Sequence, residues 1–393
     1  MVEHVTENHG VGGSIPSLGT TPQSIFDLKT PALLLNRGRL ERNAARMRDH
    51  VAKLGVTLRP HVKTSKSIDV LRVLADGADL PITVSTLAEA RYFFEHGVTD
   101  ILYAVGIAPV KLREVAEMIR AGCKLRVILD TLEAAQAVRT FSEAEQAHIE
   151  ALIEIDSDGH RAGVAADDDL LIEIGQTLGP ALAGVMTHAG ASYDCREQSE
   201  FEAVAEQERA LTVKAAEHLR AAGLTCPIVS VGSTPSVSYA RDLTGVTEVR
   251  VGVYAFGDLV QSQLSTCSTD DIAIGVLTSV IGHNRHNGRV LTDAGFLALS
   301  RDSGMRDGPW GYGAVCDPVR GTVMDDVVVS STNQEHGIIT ARDGEIDFDR
   351  FPIGSRVLVL PNHACATAAA YDRYYVTEGG EHITAVWDRV NGW

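Results

Sequence analysis

From residue 32 onward the chain alternates short apolar runs with stretches in which apolar residues recur at steps of three and four. Residues 33–35 predict a strand, and Asn36 is placed to cap the helix that follows. Along that helix Leu40, Ala44, Met47, Val51 and Leu54 form one face, and Gly55 ends it. A strand starting near residue 57 comes next. Further apolar, β-tolerant segments lie at 82–85, 101–105, 125–130, 151–156, 182–188, 228–232 and 248–252. Helical periods separate most of them, as at 201–222, where Phe201, Val204, Ala205, Leu211, Ala215 and Leu219 make the inward stripe. Eight such strand–helix units imply a (β/α)8 barrel. A doubly wound open sheet is the alternative, but no Gly-x-Gly-x-x-Gly follows the first strand. A P-loop and a His-Glu-x-x-His zinc motif are also missing.

Past Asp258 the helical period fades. Short alternating segments at 272–281, 289–294, 327–331, 337–340 and 356–360 predict a second, mainly β domain. The division is therefore a polar tail over 1–25, a barrel over 26–260 and the β domain over 261–393. The strand at 32–35 precedes the barrel and is a candidate to pair with the second domain.

Composition narrows the function. A chain of 393 residues with 45% hydrophobic content can bury the core of two domains. The net charge of −17 argues against nucleic acid and anionic membranes as partners. No apolar run is long enough to span a bilayer, and the first residues lack the basic start and apolar stretch of a signal peptide. The six cysteines show no paired spacing, so free thiols in a reducing, cytoplasmic setting are expected.

The candidate chemistry centres on Thr57 to Ser67. If the strand persists, Arg59, His61, Lys63 and Ser65 share one face. Basic groups crowded there are costly unless an anion or cofactor meets them, and a lysine among cations is a candidate Schiff-base amine. Barrels carry chemistry at the C-terminal strand ends, and the last two strands commonly bind phosphate. Those ends read Gly232-Ser233-Thr234 and Gly252-Val253-Tyr254. A lysine after the first strand lies next to them around a closed ring. The arrangement suits a cofactor with an aldehyde at one end and a phosphate nearby.

Four segments carry a resemblance: Thr30-Pro-Ala-Leu-Leu-Leu, Arg59-Pro-His-Val-Lys-Thr, Thr187-His-Ala-Gly with Tyr193, and Pro361-Asn-His-Ala-Cys-Ala-Thr367. Together they resemble the D-serine dehydratase and D-threonine aldolase family, fold-type III pyridoxal phosphate enzymes with an alanine racemase-like barrel. The resemblance implies that Lys63 bears the cofactor, that Arg161 approaches its phenolic oxygen and that His188 lies beside its ring. It further implies that Gly232, Ser233, Thr234, Gly252, Val253 and Tyr254 cradle the phosphate and that Tyr193 stands at the substrate side. Ser65 departs from the family, which often has histidine there, so any acid–base role of that position is open.

His363 and Cys365, on a strand-like segment, would face one way about 7 Å apart. Spacing alone favours a buried cysteine beside a hydrogen-bonded histidine. The resemblance makes them ligands of a divalent metal, with zinc favoured and Mn2+ or Mg2+ as alternatives. Dehydratases resemble this His-x-Cys, whereas the aldolases more often show His-x-Asp. The implied activity is a lyase on D-3-hydroxy amino acids, D-serine dehydratase first and D-threonine aldolase second. A pyridoxal phosphate carrier and a racemase are weaker readings, since neither needs a metal at a substrate hydroxyl. A homodimer follows by resemblance only. Glu335 and His336 also match the family, and a solvated turn explains them as well.

Overall fold

The computed structural model describes residues 23–305 and 308–393. The tail read over 1–25 therefore lies, up to residue 22, outside the described residues. At its end Ser24 already bridges His382, and Ile25 is fully buried.

The chain opens with β1 (Ala32–Asn36) and α1 (Arg37–Lys53), whose first turn is capped by Asn36 Oδ1 accepting from the Arg39 amide at 3.0 Å. Leu40, Ala44, Met47 and Val51 bury one face of α1, and Gly55, at φ +72°, follows its end. The strands β2 (Thr57–Pro60), β3 (Ile82–Val84), β4 (Asp100–Gly106) and β5 (Lys124–Leu129) come next, with α2 (Ile68–Ala75), α3 (Leu87–Glu95) and α4 (Leu112–Arg120) between them. After α5 (Leu132–Glu145) the alternation continues with β6 (Ala151–Glu154), α6 (Asp169–Leu178), β7 (Leu182–Met186), α7 (Gln198–Ala221), β8 (Ile228–Val231), α8 (Thr234–Tyr239) and β9 (Glu248–Val251). These eight strands, β2 to β9, form one parallel sheet in the order β2-β9-β8-β7-β6-β5-β4-β3. A bridge from His61 to Thr83 joins its two edges and closes the (β/α)8 barrel.

The barrel interior has two characters. Leu102, Ile128, Leu152, Ala183 and Met186 make a small apolar cluster on one side. On the other, buried Arg59, Ser230, Glu248 and Arg250 are linked in series. Arg59 Nε donates to Glu248 at 2.8 Å, Ser230 Oγ to Glu248 at 2.7 Å, and Arg250 Nη1 to Ser230 at 2.7 Å. The chain's own carboxylates meet the charge of Arg59, with Asp100 at 2.7 Å as the second partner.

After α9 (Leu259–Gln263) the chain builds a second sheet from β10 (Ile274–Asn284), β11 (Arg289–Thr292), β12 (Ala314–Cys316), β13 (Val327–Thr332), β14 (Gly337–Ala341), β15 (Arg356–Leu360), β16 (Arg373–Thr377) and β17 (Ile383–Asp388). Two short helices interrupt it, α10 (Phe296–Leu299) and α11 (Ala364–Ala368). Its order is β13-β14-β11-β10-β1-β16-β17, with β15 also on β10 and β12 on β15. Thus β1 belongs to this sheet, antiparallel to β10 and parallel to β16. No helix is long and apolar enough to cross a membrane among the described residues.

Candidate active site

The strand β2 ends at Pro60 with only the His61 bridge beyond it, so the face expected to carry Arg59, His61, Lys63 and Ser65 does not form. The Val62 amide still reaches Thr83 O at 2.9 Å, but the Lys66 amide then closes a turn on Val62 O at 2.7 Å. His61 and Lys63 line a cavity of about 410 Å3 at the C-terminal mouth of the barrel. Ser65 is buried elsewhere: its Oγ donates to Val62 O at 3.4 Å, and its carbonyl accepts from Tyr374 Oη at 2.7 Å and Arg389 Nε at 3.1 Å. Position 65 therefore does not supply an acid or base to this cavity. Lys66, in the left-handed region at φ 48°, sends its Nζ to buried Glu89 at 3.0 Å. Lys63 is the lysine left facing the cavity.

Two histidines stand with it. His188 Nδ1 lies 3.3 Å from Gly232 O, and its pKa falls to about 4 through burial first and the charge of Lys63 next. His61 is held well below its ordinary value by burial, Lys63, Arg250 and His188. Both rings are therefore neutral at pH 7. Arg161 lines the same cavity, with Nη2 3.2 Å from the buried Glu154. Arg161, His188 and Tyr193 are thus brought together with Lys63.

Of the six residues expected to cradle a phosphate, Gly232, Ser233, Thr234, Gly252 and Val253 line the cavity, and only some of their amides are free. Gly232 donates its amide to Glu208 at 3.0 Å, Ser233 to Ser236 Oγ at 3.0 Å, and Tyr254 to Thr234 Oγ1 at 3.2 Å. The amides of Thr234, Gly252 and Val253 have no protein partner among the described residues. The glycines serve packing: a Cβ at 232 would meet Arg250 O at 2.8 Å, and one at 252 would meet His61 O at 2.8 Å. Gly232 also needs its positive φ of +127°. The Tyr254 ring lines a second cavity, of about 310 Å3, its buried hydroxyl has no partner among the described residues, and its amide is taken by Thr234, so this residue leaves no free donor for the cradle. Free amides at one end and Lys63 at the other fit pyridoxal phosphate.

At the opposite wall the expected strand through His363 and Cys365 is instead the start of α11, after β15 has ended at Leu360. His363 precedes the helix and Cys365 lies in its first turn, yet both line the cavity. His363 Nδ1 is 3.1 Å from Asp302 Oδ2, and Cys365 Sγ is 3.2 Å from Thr64 Oγ1. Asp302, then Cys365, raise the imidazole pKa to about 10. Burial pushes the Cys365 thiol up, but His363, Lys63 and Thr64 bring it below its ordinary value. A nitrogen and an acidified thiol suit zinc, and the carboxylate on Nδ1 leaves Nε2 for the ion. Among the described residues no third His, Cys, Asp or Glu completes a metal-binding group, so the protein would offer two ligands. Asp302 was invisible in the sequence because its partner lies sixty-one positions away.

Asp258 is a second residue that spacing could not reveal. Buried on the cavity wall, it accepts from the Gln261 amide at 2.8 Å and the Ala364 amide at 3.0 Å, which ties α9 to α11. Burial lifts its pKa to about 6. Tyr193 lies near it, with its phenol raised by burial and by Asp258 and Cys365. Glu335 and His336 do not line this cavity.

Residues 35–260 match the model of the alanine racemase N-terminal domain, and residues 273–377 that of a serine dehydratase domain. The chain is 48% identical to D-threo-3-hydroxyaspartate dehydratase of Delftia sp. strain HT23, covering 94% of this chain and 99% of that one. The solved structure of that enzyme superposes with a TM-score of 0.90 at 47% identity over 95% of this chain and all of that one. Its solved variants include a histidine-to-alanine mutant and a cysteine-to-alanine mutant in the metal-free form, at positions spaced like His363 and Cys365. The D-serine dehydratase of Schizosaccharomyces pombe is 32% identical, with 94% of each chain covered. D-threonine aldolase from Filomicrobium marinum superposes with a TM-score of 0.80 at 25% identity, over 94% of this chain and 98% of its own. On the match of barrel and β domain alike, the chain belongs to the D-serine dehydratase and D-threonine aldolase family of fold-type III pyridoxal phosphate enzymes.

Proposed function

We propose that this protein is a pyridoxal phosphate- and divalent metal-dependent dehydratase of D-3-hydroxy amino acids. It converts D-serine to pyruvate and ammonia, and D-threo-3-hydroxyaspartate to oxaloacetate and ammonia. The observation that carries the reading is that Lys63 and the His363–Cys365 pair line one cavity. Near-half identity to a dehydratase along the whole chain supports elimination over aldol cleavage.

When bound, the cofactor supplies an electron sink at the substrate's α-carbon and the metal a Lewis acid at its hydroxyl. The protein supplies the rest. Thr234, Gly252 and Val253 hold the phosphate by their amides, while Arg161, anchored on Glu154, sits at the cofactor's edge. His188, kept neutral, packs beside the ring without adding charge. Lys63 would hold the cofactor's aldehyde carbon, and its amine is the base placed to take the substrate's α-proton. Tyr193, protonated at neutral pH, donates a hydrogen bond to the substrate. His363 and Cys365 would hold the ion. The family resemblance supports a homodimer in the cytoplasm, which sedimentation of the holoenzyme and cell fractionation test.

Product analysis decides the reaction. D-Threonine should give 2-oxobutyrate and ammonia, and the L-isomers should be inert. Glycine plus acetaldehyde without 2-oxobutyrate would make the protein an aldolase. Comparing D-serine with D-threo-3-hydroxyaspartate by kcat/KM then fixes the preferred substrate.

A further inference from the structure

Glu208 is a buried carboxylate that the reaction does not use. It lies on α7, 2% exposed, in line with the apolar stripe of Phe201, Ala205, Ala215 and Leu219. One of its oxygens, Oε1, accepts two backbone amides: Ala189 at 2.9 Å and Gly232 at 3.0 Å. Ala189 directly follows His188 beyond β7, and Gly232 opens the phosphate-binding turn beyond β8. Both amides lie where strand pairing has ended, so without Glu208 each would be a buried donor with no acceptor. A third contact runs from Ser236, the residue whose hydroxyl also takes the Ser233 amide at 3.0 Å.

We infer that Glu208 is a positioning residue that ties the ends of β7 and β8 through a single oxygen. It thereby sets the distance between the histidine beside the cofactor ring and the turn that grips its phosphate. This rests on the proposed cofactor placement. An apolar side chain at 208 frees both amides at once, so the ring and phosphate contacts lose their common reference. An amide side chain retains a carbonyl oxygen in the same place and preserves the tie whether or not the native group carries charge.

The test compares Glu208→Leu, Glu208→Met and Glu208→Gln in the full chain for affinity toward pyridoxal phosphate, for the 31P resonance of the bound phosphate and for visible circular dichroism. The apolar variants are expected to bind at least tenfold more weakly, with a shifted 31P line and altered dichroism. Glu208→Gln should stay within threefold of the parent with both signals restored. Parental affinity and 31P shift in an apolar variant that folds would overturn the inference, as would a glutamine variant no better than leucine. If neither apolar variant folds, hydrogen exchange on the parent protein decides: the Ala189 and Gly232 amides should be protected together, and exchange at loop rates would defeat the proposal. A parent that does not bind pyridoxal phosphate would defeat the function reading instead, with the exchange result still judging Glu208.

Discussion

Lys63 and Lys66 share one turn and have opposite surroundings, which separates their roles experimentally. Lys63→Ala should abolish borohydride-fixable cofactor, read by mass spectrometry, and leave the apo protein's urea midpoint nearly unchanged. Lys66→Ala strands the buried Glu89 and should cost about 3 kcal/mol in urea unfolding while the cofactor still attaches. His188 adds a pH signature. Its pKa is depressed from 6.5 to about 4, so the folded state resists a proton that the unfolded chain accepts. That contribution to stability is complete above pH 6.5 and drains away as pH falls toward 4, with a slope of up to about 1.4 kcal/mol per pH unit. Denaturant midpoints of the apo protein at pH 7, 5.5 and 4.5 should show the loss, and His188→Gln should reduce it, leaving the part that belongs to His61. At the proposed metal pair, Cys365→Ala should lower the metal content found by elemental analysis and remove most of the turnover, with cofactor affinity kept. Side chains inside the motifs Arg59-Pro-His-Val-Lys and His-Ala-Cys could be picked from sequence. Asp258, Asp302 and Glu208 could not, because each acts on a partner distant in the chain; the one visible trace was an acid within the apolar stripe of α7.

At the level of elements, the two glycine turns beyond β8 and β9 bring backbone close to backbone. Gly232→Ala and Gly252→Ala each force a Cβ to within 2.8 Å of a carbonyl oxygen. Each should destabilise the protein by about 1–3 kcal/mol and weaken pyridoxal phosphate binding at least tenfold, measured by equilibrium dialysis. Barrel strands such as β3 and β7 were legible because parallel strands buried on both faces are written as short apolar runs, whereas β2 and β9, interrupted by Arg59, Glu248 and Arg250, were read from their place in the alternation. The second sheet was read only in part. β12 is three residues long, and β17 leaves most of its residues half exposed, so neither writes a strong pattern. The segment at His363 deceived for a related reason: α11 is five residues, too short to display a helical period, and its alternation looks like a strand.

On the scale of the whole molecule, the turn that carries Lys63 is clamped by the end of the chain. Tyr374 and Arg389 both hold the Ser65 carbonyl, and the Val390 amide donates to Lys66 O at 2.8 Å. Arg389 also ties Ala368 and Tyr371 by their carbonyls. Arg389→Met leaves these acceptors buried and should cost about 2–4 kcal/mol, with faster cofactor loss in a chase with excess aldehyde trap. The placement of β1 has a consequence in time. Its neighbours are β10 and β16, with Leu35 opposite both Ile274 and Val376. A ribosome therefore releases this apolar strand before any barrel strand and delivers its partners only after the entire barrel has emerged. Through most of synthesis that strand must wait unpaired, so this chain should draw on a holding chaperone early, and a translation stall before β10 should favour aggregation over a partly active product.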